Sequence, residues 1–77
     1  MNSVTIHFEY TETGTISVLD AQHGLTTYPY VTAAERMQMV DNLTFGLEER
    51  GLKMVYRHRE VKEDGITPVC HQLWVPK

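Results

Sequence analysis

Apolar and polar residues alternate near the start of the chain. In residues 4–10, apolar side chains occupy every second position, which is typical of a strand with one buried face. Gly14 suits the turn of a hairpin, and residues 15–21 supply a second strand. Among the registers that this turn allows, we expect the one that places Tyr10 opposite Ile16, because it pairs large apolar side chains.

A helical spacing replaces the alternation in residues 32–50. Thr32 and Glu35 have the T-x-x-E spacing of a capping box at the start, and Gly51 suits the helix end. Residues 22–31, which precede this helix, are predicted to be a connection. One stripe of the helix is mostly apolar and is expected to face a sheet: Ala33, Met37, Val40, Leu43, Thr44 and Leu47.

A second hairpin is predicted after the helix, from strands 52–61 and 67–75 around the turn Glu63-Asp64-Gly65. The chain order is therefore β-β-α-β-β. This order predicts an α+β fold in which a four-stranded antiparallel sheet carries one helix on one face. Residues 1–77 are expected to form a single domain.

The register of this second hairpin has two alternatives. A three-residue loop places Trp74 opposite Met54 on the helix side, whereas a two-residue loop places Trp74 opposite Val55 on the outer face. A step of one residue exchanges the two faces of a strand. We favour Trp74 on the helix side, because a lone tryptophan is more often part of a core. In that register His58 would face Cys70 across the hairpin.

Composition adds an expectation about assembly. The chain has 77 residues, a formal net charge of −3 and one cysteine, so it cannot form an internal disulfide. A domain this small has a limited core and usually needs additional support. A single helix also leaves one face of the sheet uncovered. We therefore predict a homodimer, and the lone cysteine and the lack of an apolar leader or spanning segment predict a cytoplasmic protein without membrane contact.

Two apolar residues of the helix depart from its apolar stripe. Phe45 projects roughly opposite the stripe and Met39 lies on its flank. Either the helix tilts or a loop covers Phe45, or both residues belong to a surface that binds a partner. In the second case the predicted partner-binding residues are Glu35, Met39, Asp41, Phe45, Glu48 and Glu49.

Basic residues of the second hairpin support an alternative. Nucleic acid could bind a sheet face by charge and stacking, through Lys53, Arg57, Arg59 and Trp74. The acidic balance of the chain argues against this, because non-specific nucleic-acid binding needs a basic surface. Cys70 and His71 are adjacent on a strand and would chelate a metal poorly, so we expect no metal and no cofactor.

The function predicted from the sequence is protein binding without catalysis. No spacing of nucleophile, acid and base predicts an enzyme. Phages and mobile elements encode many acidic domains of this size that inhibit host machinery, anti-CRISPR proteins among them. We predict an inhibitor that sterically blocks a host defence protein, such as a nucleic-acid-binding CRISPR complex, by presenting the acidic helix to a basic surface. The alternative is a nucleic-acid-binding module.

Overall fold

Alternating side chains build a larger sheet than predicted. The computed structural model of the chain describes residues 2–77. It contains one helix, α1, at Ala33–Glu49 and one antiparallel sheet whose strands lie in the order β3-β2-β1-β5-β4. The strands are β1 Val4–Glu9, β2 Gly14–Asp20, β3 Gly24–Tyr30, β4 Leu52–Val61 and β5 Pro68–Pro76. The α+β class is confirmed, and the prediction of four strands is wrong, because the sheet has five.

The fifth strand, β3, lies in the segment that was predicted to be a connection. Its threonines obscure the alternation of apolar and polar residues that would indicate a strand. Tyr30 at its end is 1 % exposed, and its hydroxyl donates a hydrogen bond to the Glu9 carbonyl. Gly24 has a φ of 83° and follows the tight turn after β2. Pro29 is tolerated because β3 is an edge strand, where a missing N–H need not break the ladder.

The first hairpin keeps its predicted faces but has a different register. Phe8 lies opposite Ile16 and Ile6 lies opposite Val18, so the prediction that Tyr10 faces Ile16 is wrong by two residues. Residues 10–13 separate the two strands, and within them the Thr11 hydroxyl bonds the Thr13 carbonyl and the Tyr30 hydroxyl. A shift of two residues preserves which side chains face the core.

The second hairpin combines both alternative registers, because a bulge interrupts β4 between Met54 and Tyr56. In the part of β4 before the bulge, Trp74 lies opposite Met54 and is buried, as in the register that we favoured. Nearer the turn, His58 lies opposite His71. The predicted pairing of Cys70 with His58 is therefore wrong: Cys70 lies opposite Arg59.

The helix begins and ends as predicted, but it faces the sheet with a different stripe. The Glu35 N–H donates to Thr32 Oγ1 over 3.1 Å, and Gly51 has a φ of 84° just past the C-terminus. Met37 is 63 % exposed and Arg36 is buried in its place. The apolar helix residues that pack against the core are Met39, Val40, Leu43 and Leu47.

The core between sheet and helix is small. Its buried residues are Val4, Ile6, Phe8, Ile16, Tyr30, Leu47, Leu52, Cys70 and Trp74. Among residues 2–77, no helix covers the opposite face of the sheet. Within residues 2–77, no helix is both long enough and apolar enough to cross a membrane.

Candidate interaction surfaces

The solvent face of α1 exposes an aromatic side chain among carboxylates. Phe45 is 65 % exposed, so no loop covers it, and Met37 is 63 % exposed on the same side of the helix. Asp41 lies one helical turn from each of them, at spacing i, i+4. We define the acidic helix face by these side chains together with the neighbouring acids: Glu35, Met37, Asp41, Phe45, Glu48 and Glu49.

The carboxylates of the acidic helix face are available to a partner. Within the described part of the chain, none of the four forms an ion pair. Met39, the other predicted partner-binding residue, is half-buried and packs against the core beside Leu43. Met37 is therefore the more accessible methionine of this helix, although the sequence placed it on the buried stripe.

The predicted basic strip is divided between the two faces of the sheet by the β4 bulge. Lys53 precedes the bulge and lies opposite Val75 on the outer face. Arg57 and Arg59 follow it and lie opposite Gln72 and Cys70, on the helix side. The prediction that these three cations share a face is therefore wrong.

Trp74 does not contribute a surface for base stacking. It is 5 % exposed, and its indole N–H donates to Gln72 Oε1 over 3.0 Å within the core. The four residues of the alternative nucleic-acid site thus lie in three different environments. The sheet offers no face on which they could act together.

Three histidines form a row across the outer face of the sheet. His7, His71 and His58 lie directly opposite one another on β1, β5 and β4. The rings of His7 and His71 are 4.4 Å apart between centroids. Glu60 accepts from His58 at 3.3 Å and from His71 at 3.2 Å.

The charges around this row are largely balanced within the outer face. Lys62 Nζ pairs with Glu9 Oε1 at 2.5 Å. Burial and the neighbouring His71 lower the pKa of His7, while Glu9 and Glu60 act in the opposite direction. Burial is the largest of these effects, and the pKa of His7 lies below its ordinary value. We define the histidine row as His7, His58 and His71.

A buried carboxylate joins the end of the helix to the sheet. Asp20 Oδ2 accepts from Arg50 and from His23, each at 3.1 Å, while its Oδ1 accepts from the Gln22 N–H. Hydrogen bonds from the Gln22 backbone and the His23 side chain hold the pKa of Asp20 well below its usual range. Both oxygens of the carboxylate accept hydrogen bonds from these partners, so we interpret the role of Asp20 as structural.

Sequence reasoning missed Asp20, Arg36 and Arg50 because their partners are distant along the chain. Asp20 and Arg50 are thirty residues apart, and Arg36 reaches residues of β1 and β3. The described residues contain no group of His, Cys, Asp and Glu side chains arranged to hold a metal ion. Comparison with protein-family models, with curated proteins and with solved structures finds no match.

Proposed function

We propose that this chain is a non-enzymatic protein-binding module that presents the acidic helix face to a basic protein surface. The observation that carries the proposal is the exposure of Phe45 in the middle of unpaired carboxylates. An exposed aromatic side chain is a common anchor of protein interfaces, because it buries a large apolar area on binding. Surrounding charges of one sign steer a partner of opposite charge and set its orientation.

A nucleic-acid-binding channel is the partner surface that we propose. Such a channel is basic and is shaped to accept a line of negative charge. Asp41 and Glu48 are seven residues apart, which places them about 10 Å apart along the helix. The chain would then act as a steric inhibitor that occupies the channel of a host defence complex, as the charge and size of the chain suggest.

Charge reversal on the helix tests this function. The immobilised chain should capture a basic protein from a bacterial lysate, and capture should weaken as salt rises from about 0.05 to 0.5 M because the Debye length shortens. Glu48→Lys should weaken binding of the captured protein about tenfold, whereas Glu63→Lys, in the β4–β5 turn, should leave it unchanged. Equal losses for both variants would show that only net charge matters and would contradict a defined helix surface.

We further propose that a second copy of the chain covers the outer face of the sheet. Leu19 and Leu25 are 53 % and 65 % exposed there, and Tyr56 is 52 % exposed. Because Lys62 pairs with Glu9 and Glu60 lies between two histidines, two identical faces would meet without strong repulsion. Sheets that pack face to face in this way are about 10 Å apart.

Self-association predicts a pH effect with a definite sign. Burial has already lowered the pKa of His7, and a dimer would desolvate the histidine row further, so the dimer would bind fewer protons than the monomer. We expect a dimer at pH 7.5 that dissociates as the pH falls below about 6. Light scattering after size-exclusion measures this, with His7→Gln expected to reduce the pH dependence. A monomer at pH 7.5 and micromolar concentration would contradict the proposed dimer.

A further inference from the structure

Three arginines surround one tyrosine on the helix side of the sheet. Arg36 comes from α1, whereas Arg57 and Arg59 come from β4. The guanidinium carbons of Arg36 and Arg59 lie 5.3 Å and 4.7 Å from the centroid of the Tyr10 ring. Arg57 and Tyr10 both line the cavity beside them. We define the arginine cluster as Arg36, Arg57 and Arg59.

The arginine cluster has no anionic partner among the described residues, since none of its members forms an ion pair. Arg36 is only 9 % exposed, and its guanidinium donates to the Thr11 carbonyl. A buried cation normally needs a paired anion, and stacking on Tyr10 and Tyr30 offsets only part of its desolvation. Three cations around one ring also repel one another, so a bound anion would stabilise this region.

A cavity of about 170 Å³ adjoins the cluster. Arg36 and Arg57 line it together with apolar side chains, which are Phe8, Tyr10, Met37 and Val40. At roughly 30 Å³ for a water-sized group, this space holds a phosphate group, and because the cavity is open to solvent an attached organic group can lie along its apolar wall. Gln72 supplies a further polar group of the cavity wall.

The charge of the site favours a dianion. Asp41 also lines the cavity and is its one carboxylate, and it forms no ion pair with the cluster in residues 2–77. Arg36 and Arg57 line the cavity and Arg59 stacks on Tyr10 beside it, so the cavity and its immediate surroundings carry a surplus of two positive charges over Asp41. A phosphate monoester carries about −1.5 to −2 at pH 7, whereas a carboxylate carries only one negative charge. Guanidinium groups also match the geometry of phosphate oxygens through paired N–H donors.

We propose that this cavity binds a small phosphate monoester. The phosphate oxygens accept hydrogen bonds from Arg36 and Arg57, Arg59 adds positive charge beside the cavity, and the organic group packs against Phe8, Met37 and Val40. The cavity shares Met37 and Asp41 with the acidic helix face, but Phe45 and Glu48, at which the proposed function is tested, do not line it. The two proposals are therefore tested at different residues: Phe45 and Glu48 for the protein interface, and Arg57 for the cavity.

Titration of the full chain with phenyl phosphate tests the site, with binding followed by calorimetry or by amide chemical shifts. Phenyl phosphate should bind more tightly than inorganic phosphate, because its ring contacts the apolar wall. It should also bind at least about tenfold more tightly than benzoate, which has the same ring and one negative charge. No saturable binding, or benzoate binding as tightly as phenyl phosphate, would overturn the proposal. Equal affinity for inorganic and phenyl phosphate would overturn the assignment of the organic group.

Substitutions on β4 test whether binding depends on the arginine cluster or on positive charge in general. Arg57→Gln should weaken phenyl phosphate binding about tenfold, since it removes a charge-assisted hydrogen bond. Arg59→Gln should weaken binding by less, since Arg59 supplies positive charge beside the cavity without lining it. Lys53→Gln is the matched control, because Lys53 is an exposed cation of the same strand on the other face of the sheet. Both arginine sites are exposed, and a thermal melt confirms that the variants fold. An equal loss in Lys53→Gln would overturn the defined site, and Glu48→Lys should bind phenyl phosphate as the natural chain does.

Discussion

Trp74→Ala should remove a large part of the free energy of unfolding of this protein. Trp74 is 5 % exposed and lies on β5 between Val4 of β1 and Met54 of β4, so its ring fills the sheet side of the core. Replacing a buried tryptophan with alanine costs about 3–5 kcal/mol. A domain of this length has a total stability of roughly 4–12 kcal/mol. The substitution therefore removes a large part of the free energy of unfolding.

The hydrogen bond of the indole gives this prediction a graded control. Trp74→Phe keeps most of the apolar volume but leaves Gln72 Oε1 without the indole donor inside the core. We expect it to cost about 1–3 kcal/mol, clearly less than the alanine variant. Urea denaturation followed by far-UV circular dichroism measures both, because that signal does not depend on the tryptophan.

The same variants also test the nucleic-acid alternative. If Trp74 were a stacking residue on the surface, Trp74→Ala would leave the urea midpoint nearly unchanged and would weaken single-strand binding. That outcome would contradict the buried position of Trp74 and would return nucleic-acid binding to consideration. The structure predicts the opposite result, a large fall in stability.

Phe45→Asp should strongly weaken partner binding while the domain remains folded. Phe45 is 65 % exposed and lies outside the core, so its loss should change stability by no more than about 1 kcal/mol. Part of that change comes from repulsion with Asp41 and Glu49, which are four residues away on the helix. An interface anchor commonly contributes 2 kcal/mol or more to binding, so we expect affinity to fall at least about thirtyfold.

Ile66→Asp is the matched control for this experiment. Ile66 is 81 % exposed in the β4–β5 turn, so the same type of substitution adds one negative charge away from the helix. Affinity for the captured partner, measured by calorimetry, should fall in Phe45→Asp and remain in Ile66→Asp. Phe45→Ala should give an intermediate loss. If Phe45→Asp unfolds the domain, or if both aspartate variants bind normally, Phe45 is not an interface anchor.

Local sequence signals predicted the helix well. Thr32 caps it and Gly51 ends it, because both positions depend on short-range backbone geometry that the side chain itself supplies. The structure leaves Phe45 exposed without a covering loop, and its role in partner binding stays a prediction. The face that α1 turns to the sheet was less predictable. Met37 lies outside and Arg36 inside, because stacking on Tyr10 and Tyr30 requires residues from β1 and β3.

The strands show the same division between local and distant causes. β1 was evident from its alternation, whereas the threonines of β3 carry no such pattern and form a strand because β2 offers a free edge. The bulge in β4 has no sequence signal that we recognised. It moves Arg57 and Arg59 to the helix side by changing the register partway along the strand.

The sequence by itself therefore determined the α+β class, the helix ends and the acidic character of the helix, since these depend on neighbouring residues. Only the tertiary structure decided which side chains meet. The arginine cluster, the histidine row and the bond between Asp20 and Arg50 each join segments far apart along the chain. Their positions follow from strand order and register, and these are set by how the whole core packs.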